Sequence, residues 1–258
     1  MIEASARVTP SRSGIRRRLA VTRFVRPWSV ELGVAGGSVQ GVDEPAHLRT
    51  TRAAYDTVAA DYARLLPDLR AEAALDKAML ATFAELTSTA SLGPVADLGC
   101  GTGRMTAHLD SLGVETFGID LSPAMVDLAR RTHPHLRFDV GSITALDLSD
   151  ATAGGVLAWY STIHTQPQDL PAVFSEFSRV LAPGGYLLVG FHVGDGDRPR
   201  RVAFRDDVSV DAYDVTPERV ADLSIQAGLV VHAQLLRTAQ GREKRPQASL
   251  IAAKPVKP

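Results

Sequence analysis

The chain has 258 residues, 45% of them hydrophobic and 22% charged, which is the composition of a globular protein with a full hydrophobic core. It has a single cysteine, so no internal disulfide can form, and no apolar run approaches the ~20 residues that cross a membrane. The net charge of −1 hides an asymmetry, because residues 1–30 contain seven arginines and one acidic residue, which leaves a charge of −7 on the other 228. This acidic remainder argues against a nucleic-acid partner, and the lone cysteine favours a reducing, cytoplasmic location.

Residues 1–46 are predicted to form a basic, disordered extension, because they show no apolar periodicity and include the flexible run Gly36–Ser38. Three interpretations are open: an organellar transit peptide, a basic interaction tail, or a start codon placed too far upstream. We favour the last, because the patterns described below begin only near His47. Three valines could serve as alternative starts: Val34, Val39 and Val42.

Two helices are predicted before the first strand. The first spans Arg49 to Leu65, where apolar and aromatic residues recur on one face: Ala54, Tyr55, Val58, Ala59 and Tyr62. The second spans Glu72 to Thr87 and leads through a Gly-Pro turn into a short apolar run.

That run, Val95 to Leu98, contains an acid and is followed by a glycine at every second position, Gly99, Gly101 and Gly103. The apolar residues predict a buried parallel strand, and the glycines let the backbone turn tightly and approach a ligand. A helix is predicted from about Arg104. Strand, glycine-rich turn and helix together indicate the nucleotide-binding start of a doubly wound α/β sheet. The spacing is not that of dinucleotide folds, whose third glycine comes one residue later, where this chain has Arg104.

A second strand is predicted to end at Asp120, 17 residues after Gly103. This lies near the ~20-residue spacing at which an acid binds ribose hydroxyls in such folds. An ionised carboxylate accepts two hydrogen bonds from a vicinal diol, so Asp120 is predicted to bind a ribose. Cys100, inside the glycine turn, is interpreted as a small packing residue rather than a nucleophile.

The rest of the chain alternates helices and strands. Ser122 and Pro123 begin a helix, and a turn at Pro183–Gly185 precedes the fifth strand. The third to fifth strands are predicted at Leu136–Val140, Gly155–Tyr160 and Tyr186–His192. After a long connection with a helix from Pro217, two β-like segments, Gly228–Ala233 and Ala248–Ala253, are predicted to form an antiparallel hairpin. Within the connection, alternating apolar residues from Val208 to Tyr213 predict a small added strand pair that covers the acceptor pocket.

The spacing G-x-G-x-G with an acid two residues ahead resembles motif I of the class I S-adenosylmethionine-dependent methyltransferases. The junction Phe177–Ala182 followed by Pro183–Gly185 is similar to the same family, and the resemblance covers about residues 47 to 255. It implies a doubly wound, seven-stranded, mostly parallel sheet with a C-terminal antiparallel hairpin, formed by a methyltransferase domain at 47–258. It also implies S-adenosylmethionine as cofactor and a small organic acceptor, methylated at oxygen, nitrogen or carbon by in-line displacement.

The resemblance implies a set of cofactor residues. Asp97 would contact the methionine ammonium, directly or through water, unless it only caps the glycine turn. Gly99, Gly101 and Gly103 would expose backbone to the cofactor, and the helix with Tyr55 would lie across it. Adenine would be framed by Leu121, Ser142 and Ile143, although many relatives have an acid in place of Ser142.

At the end of the fourth strand, the resemblance places the methionine end of the cofactor and the acceptor. Trp159, Tyr160 and His164 are therefore candidates for the acceptor pocket, and Tyr160 also for cofactor binding. Aromatic walls suit both a sulfonium and an apolar acceptor, although Trp159 could equally be a core residue. His164 is a candidate general base with a purely structural alternative, and His192 at the end of the fifth strand is the rival base.

Several functions are disfavoured. The end of the fourth strand lacks the N-P-P-Y or D-P-P-Y motif that presents the exocyclic amine of adenine or cytosine for methylation. It also lacks the Pro-Cys pair that attacks a pyrimidine ring. Gly154 and Gly155 stand where catechol methyltransferases have an acidic metal ligand, so no metal is expected. No nucleic-acid or membrane partner is expected, and the oligomeric state is open. A non-catalytic S-adenosylmethionine-binding scaffold and, with less support, a nicotinamide-dependent oxidoreductase remain as alternatives.

Overall fold

The computed structural model describes residues 44–196, 198–241 and 243–256. The basic extension predicted at 1–46 lies outside these ranges except for its last three residues. Within them, no helix is both long and apolar enough to cross a membrane.

Two helices precede the sheet, α1 at Ala46–Leu65 and α2 at Ala74–Ala90, with a short 3-10 turn at Leu69–Ala71 between them. Helix α1 begins three residues earlier than predicted, directly after Pro45, whose fixed φ of −51° suits the residue before a helix. Helix α2 begins two residues later than predicted, because Asp68 accepts a hydrogen bond from the Arg70 amide and caps the 3-10 turn first.

The other elements follow the predicted order. Four further helices are α3 at Arg104–Ser111, α4 at Pro123–Thr132, α5 at Leu170–Val180 and α6 at Pro217–Gln226. The strands are β1 at Val95–Leu98, β2 at Thr116–Asp120, β3 at Arg137–Val140, β4 at Ala153–Trp159, β5 at Leu181–His192, β6 at Arg200–Arg205, β7 at Val208–Ala212, β8 at Val230–Arg237 and β9 at Gln247–Ala253.

Seven strands form one sheet in the order β3-β2-β1-β4-β5-β9-β8. The pairs from β3 to β5 are parallel, whereas β9 lies antiparallel between β5 and β8. The predicted fold class is therefore confirmed, including the C-terminal antiparallel hairpin. Strands β6 and β7 form a separate antiparallel pair, which confirms the predicted added strand pair.

Several strand ends differ from the predictions by one to four residues, and the largest difference is at β5, which begins at Leu181 rather than Tyr186. Leu181 pairs with Ala153 before the chain reaches Gly184, whose φ of +87° makes the predicted turn. The register between β4 and β5 then shifts between Ala153 and Gly155. The predicted turn at Pro183–Gly185 therefore forms an irregularity within β5 and does not precede it.

Helices cover both faces of the sheet, which explains why β1, β4 and β9 are buried along their whole length. On one face, α5 and α6 contribute the apolar side chains of Phe174, Phe177 and Leu223. On the other face, α2 and α3 contribute Phe83 and Leu109. The doubly covered sheet holds the carboxyl ends of its parallel strands at one edge, where ligands bind in folds of this kind.

Candidate functional site

A cavity lies at the carboxyl ends of β1, β2, β3 and β4, beside the point where the strand order reverses between β1 and β4. Helix α1 covers it with Leu48, Thr51, Tyr55 and Tyr62. Ten of the predicted site residues line this one cavity: Tyr55, Gly99, Gly101, Asp120, Leu121, Ser142, Ile143, Trp159, Tyr160 and His164. Asp97, Gly103 and His192 lie outside its lining.

The glycine turn after β1 is shaped by close approaches. A Cβ on Gly99, where φ is +77°, would lie 2.2 Å from the Cβ of Ser161. At Gly103, where φ is +80°, a Cβ would lie 2.7 Å from the ring of Phe138. Gly99 thus lets the turn approach the residues after β4, whereas Gly103 allows β3 to pack against the start of α3. Both positions need a residue without a side chain.

Asp120 organises the turn from the end of β2. Its carboxylate accepts hydrogen bonds from the amides of Gly101, at 2.7 Å, and Ser122, at 2.8 Å. Burial raises the pKa of Asp120, and these two amide hydrogen bonds oppose the rise. Each carboxylate oxygen is bonded to one amide and keeps a further lone pair, so Asp120 can also accept a ligand's hydroxyl groups.

Asp97 lies on β1, and only 1% of the residue's surface is exposed to solvent. It lines a smaller cavity that shares Tyr62, Gly99, Gly101 and Trp159 with the first. Its Oδ2 accepts a hydrogen bond from Thr106 Oγ1 at 2.6 Å, and burial raises its pKa to about 7. A positive charge placed next to this carboxyl group would favour its ionised form and so oppose the effect of burial.

Helix α1 is tied to the far side of the cavity by Asp56. Its Oδ1 accepts hydrogen bonds from Ser122 Oγ at 2.6 Å and from the Ala124 amide at 3.1 Å. These groups lie at the N-terminus of α4, where the helix dipole favours a negative charge. At the same edge, Ser142 Oγ lies 2.7 Å from Thr144 Oγ1, a partner that sequence reasoning missed.

Trp159 is 7% exposed and packs in the core, and it also lines the cavity. Its indole Nε1 donates to Glu72 Oε2 at 3.1 Å, and the other oxygen of Glu72 accepts from Arg104 Nη1 at 2.7 Å. Sequence reasoning did not identify Glu72 and Arg104 as site residues. Glu72 was predicted only as the start of a helix, and Arg104 only as the start of another and as the residue in the place of a third glycine, and neither pattern indicates that the two side chains meet.

Tyr160 follows β4 in the left-handed region, with φ of +56°, which is uncommon for an aromatic residue. Its amide donates to the Gly190 carbonyl at 2.9 Å, and its ring lies 5.3 Å from that of Trp159 between centroids. Burial raises the pKa of Tyr160, so its phenol stays neutral. The kink aims the next residue, Ser161, towards the glycine turn.

His164 is held at both ring nitrogens. Nδ1 lies 2.8 Å from the backbone carbonyl of Asp211, and Nε2 lies 2.7 Å from the hydroxyl of Tyr55. A carbonyl only accepts hydrogen bonds, so Nδ1 carries the proton and neutral His164 accepts the Tyr55 hydroxyl at Nε2. Burial lowers the pKa of His164. Its free lone pair therefore points at Tyr55 and is not open to the cavity.

His192 lies behind Tyr160, with 5.1 Å between the ring centroids. Arg200 Nη2 donates to its Nδ1 at 3.2 Å, and burial together with the charge of Arg200 lowers its pKa to about 4. The structure thus does not bring the two predicted bases together on the cavity. Among the described residues, no group of three or more histidine, cysteine, aspartate or glutamate side chains is arranged to hold a metal ion.

Comparisons with known proteins show which proteins the chain resembles. Residues 95–185 match a family model described as a methyltransferase domain. The chain is 30% identical over 131 residues to a malonyl-[acyl-carrier protein] O-methyltransferase of Serratia marcescens, covering 51% of each chain. It is 33% identical over 92 residues to a demethylmenaquinone methyltransferase of Chlorobaculum parvum, covering 35% of this chain and 37% of the relative. The matches thus span about half or less of these relatives' length.

Solved structures show the same fold at low sequence identity. The 1,6-didemethyltoxoflavin-N1-methyltransferase of Burkholderia thailandensis superposes with a TM-score of 0.60 at 20% identity, covering 83% of this chain and 94% of the other. The magnesium protoporphyrin IX methyltransferase of Synechocystis superposes with a TM-score of 0.59 at 15% identity, covering 83% and 100%. Residues 95–185 are therefore similar to a methyltransferase domain, and the chain has the fold of solved methyltransferases.

Proposed function

We propose that this protein binds S-adenosylmethionine in the cavity and transfers its methyl group to a small organic acceptor. The observation that carries the proposal is that Asp120, the Gly99–Gly101 turn and Asp97 line two cavities that share four lining residues. Asp120 would accept the ribose hydroxyls, and Asp97 would receive the methionine ammonium. Leu121, Ser142 and Ile143 would frame the adenine at the other end of the cavity.

The residues present fit this cofactor chemically. Asp120 keeps free lone pairs beside its two amide donors, and the pKa of Asp97, raised to about 7, falls when a cation arrives. When bound, the cofactor supplies an activated methyl group on a sulfonium. Aromatic rings of Tyr55, Tyr62, Trp159 and Tyr160 surround the space, which suits a positive charge and excludes water.

The chain's contribution to the reaction would be mainly positional. Holding acceptor and methyl group in line can supply on the order of 7–11 kcal/mol of the barrier. Tyr160 and Trp159 would shape the acceptor side, and α1 would cover it. The relatives and structural neighbours are named as methyltransferases that act on several acceptors, which supports the reaction class without selecting oxygen, nitrogen or carbon.

Two measurements test this proposal. Calorimetry with S-adenosylhomocysteine and with NAD should show binding of the first and none of the second at the same concentration. Incubation with methyl-labelled S-adenosylmethionine and a metabolite extract should then label a small molecule. Binding without any labelled product would support the alternative of a non-catalytic scaffold. Preferential binding of NAD would refute the proposal.

A further inference from the structure

We propose that Tyr55 is the group that takes a proton from the acceptor, and that His164 receives the proton of Tyr55 in the same step. His164 would thus orient the hydroxyl of Tyr55 and accept its proton. This inference rests on the proposed function, since it concerns acceptors that must lose a proton when they are methylated.

The direction of the hydrogen bonds carries the argument. The Asp211 carbonyl fixes the proton of His164 on Nδ1, and Nε2 is left to accept the hydrogen of the Tyr55 hydroxyl. With its hydrogen committed to Nε2, the Tyr55 oxygen has only lone pairs to offer to the cavity that it lines. The cavity therefore meets a hydrogen-bond acceptor at Tyr55, backed by an imidazole.

Three elements hold this arrangement in place. Tyr55 comes from α1, His164 from a 3-10 turn at Thr162–His164 after β4, and Asp211 from β7 of the added strand pair. The Tyr213 amide donates to the Ile163 carbonyl at 2.7 Å, which ties β7 to that turn. The ring of Phe204 on β6 lies 5.1 Å from that of Tyr55. The β6–β7 pair thus supports both members of the Tyr55–His164 pair.

The surrounding charges explain why neither residue would act alone. Burial, Tyr62 and Asp120 raise the pKa of Tyr55, so a free phenolate is disfavoured. Burial and the charge of Arg200 lower the pKa of His164, whereas the carbonyl and the charge of Asp211 raise it. A transfer in which Tyr55 gains one proton as it loses another avoids the phenolate altogether.

A lone pair of the acceptor atom forms the bond to the methyl carbon, and the electrons of the carbon–sulfur bond remain on sulfur. The acceptor's proton passes to the Tyr55 oxygen, and the Tyr55 proton passes to His164 Nε2. The resulting imidazolium, held by the Asp211 carbonyl, later releases its proton to water.

The first test needs no acceptor. In the full chain labelled with ¹⁵N-histidine, long-range ¹H–¹⁵N spectra should show His164 in the Nδ1–H form, with the His164→Gln variant providing the assignment. Removing the hydroxyl in Tyr55→Phe should move the Nε2 resonance towards that of a free, unprotonated nitrogen. Tyr186→Phe is the matched control and should leave the His164 resonances unchanged. Tyr186 pairs instead with His232, with 5.9 Å between the ring centroids, at the other end of the sheet. An Nε2–H form, or an unmoved resonance in Tyr55→Phe, would overturn the proposal.

The second test separates proton transfer from a structural role. Methyl-labelled S-adenosylmethionine is offered with a panel of phenols and alcohols, and with a panel of carboxylates, which are already ionised near pH 7. Tyr55→Phe and His164→Gln should lose about 10²- to 10⁴-fold in kcat on the protonated acceptors and a few-fold at most on carboxylates. The loss on phenols should shrink as the pH rises and they ionise unaided.

The relay would be refuted if the variants lost activity equally on both panels, or if they lost none on either. It would also be refuted if the wild-type protein methylated only carboxylates. Retained affinity for S-adenosylhomocysteine shows that the variants are folded. If the wild-type protein binds no S-adenosylhomocysteine, the proposed function fails instead, whereas binding without labelling of either panel refutes the relay for oxygen acceptors. In both cases the spectra still report on the Tyr55–His164 pair.

Discussion

The buried carboxyl group of Asp97 allows a prediction in which stability and ligand binding change in opposite directions. Burial raises its pKa from 3.8 to about 7, so the folded protein disfavours the ionised form. A raised pKa means that stability is lost as the pH rises from about 4 towards about 7. Above pH 7 the difference in pKa corresponds to about 4 kcal/mol of free energy of unfolding.

Asp97→Asn removes the unfavourable burial of an ionised carboxylate. The amide oxygen of the new side chain can still accept the hydrogen bond from Thr106 Oγ1. The variant should therefore be more stable than the wild type in urea unfolding at pH 8, by up to about 4 kcal/mol, and nearly equal to it at pH 4. Asp222→Asn, at an exposed position on α6, is the matched control and should show no such pH dependence.

The same variant should bind S-adenosylhomocysteine about 10- to 100-fold more weakly at pH 8, since a charge-assisted hydrogen bond contributes about 1.5–3 kcal/mol. Wild-type affinity should rise with pH and level off above about 7, as Asp97 ionises before ligand binding, whereas the affinity of Asp97→Asn should stay flat. A variant that is destabilised to the same extent at pH 4 and pH 8 would refute the reasoning about burial. Unchanged affinity would refute the role of Asp97 in binding.

Three further predictions concern the ribose-binding residue, the glycine turn and the N-terminal extension. Asp120→Ala should weaken S-adenosylhomocysteine binding in calorimetry by roughly 1.5–3 kcal/mol, because the hydroxyl acceptor is lost, and undiminished binding would contradict this role. Gly103→Ala should lower the free energy of unfolding in urea by about 1–3 kcal/mol, since φ is +80° and the new Cβ meets Phe138; unchanged stability would refute the packing argument. A protein that starts near Val42 should keep its melting temperature and cofactor affinity, as expected if residues 47–258 form the complete domain; a large loss of either would show that the extension packs on it.

Much of the fold could be predicted from local patterns. The apolar run before Gly99 and the strand that ends at Asp120 are short and bounded by glycine, acid or proline, so their types and ends are marked in the sequence itself. The boundaries that differed depend on pairing with distant residues. Leu181 belongs to β5 because it meets Ala153 across the sheet, and no feature near Leu181 announces that pairing.

The sequence by itself determined which edge of the sheet carries the site, because parallel strands bring their carboxyl ends together and each end was marked by its own residues. What the tertiary structure alone decided is the chemical state of those residues. The proton of His164 is fixed by Asp211, 47 residues later, and its lone pair is taken by Tyr55, 109 residues earlier. The indole of Trp159 is held by Glu72, 87 residues away. Hydrogen-bond direction and desolvation depend on such distant neighbours, and a local pattern does not encode them.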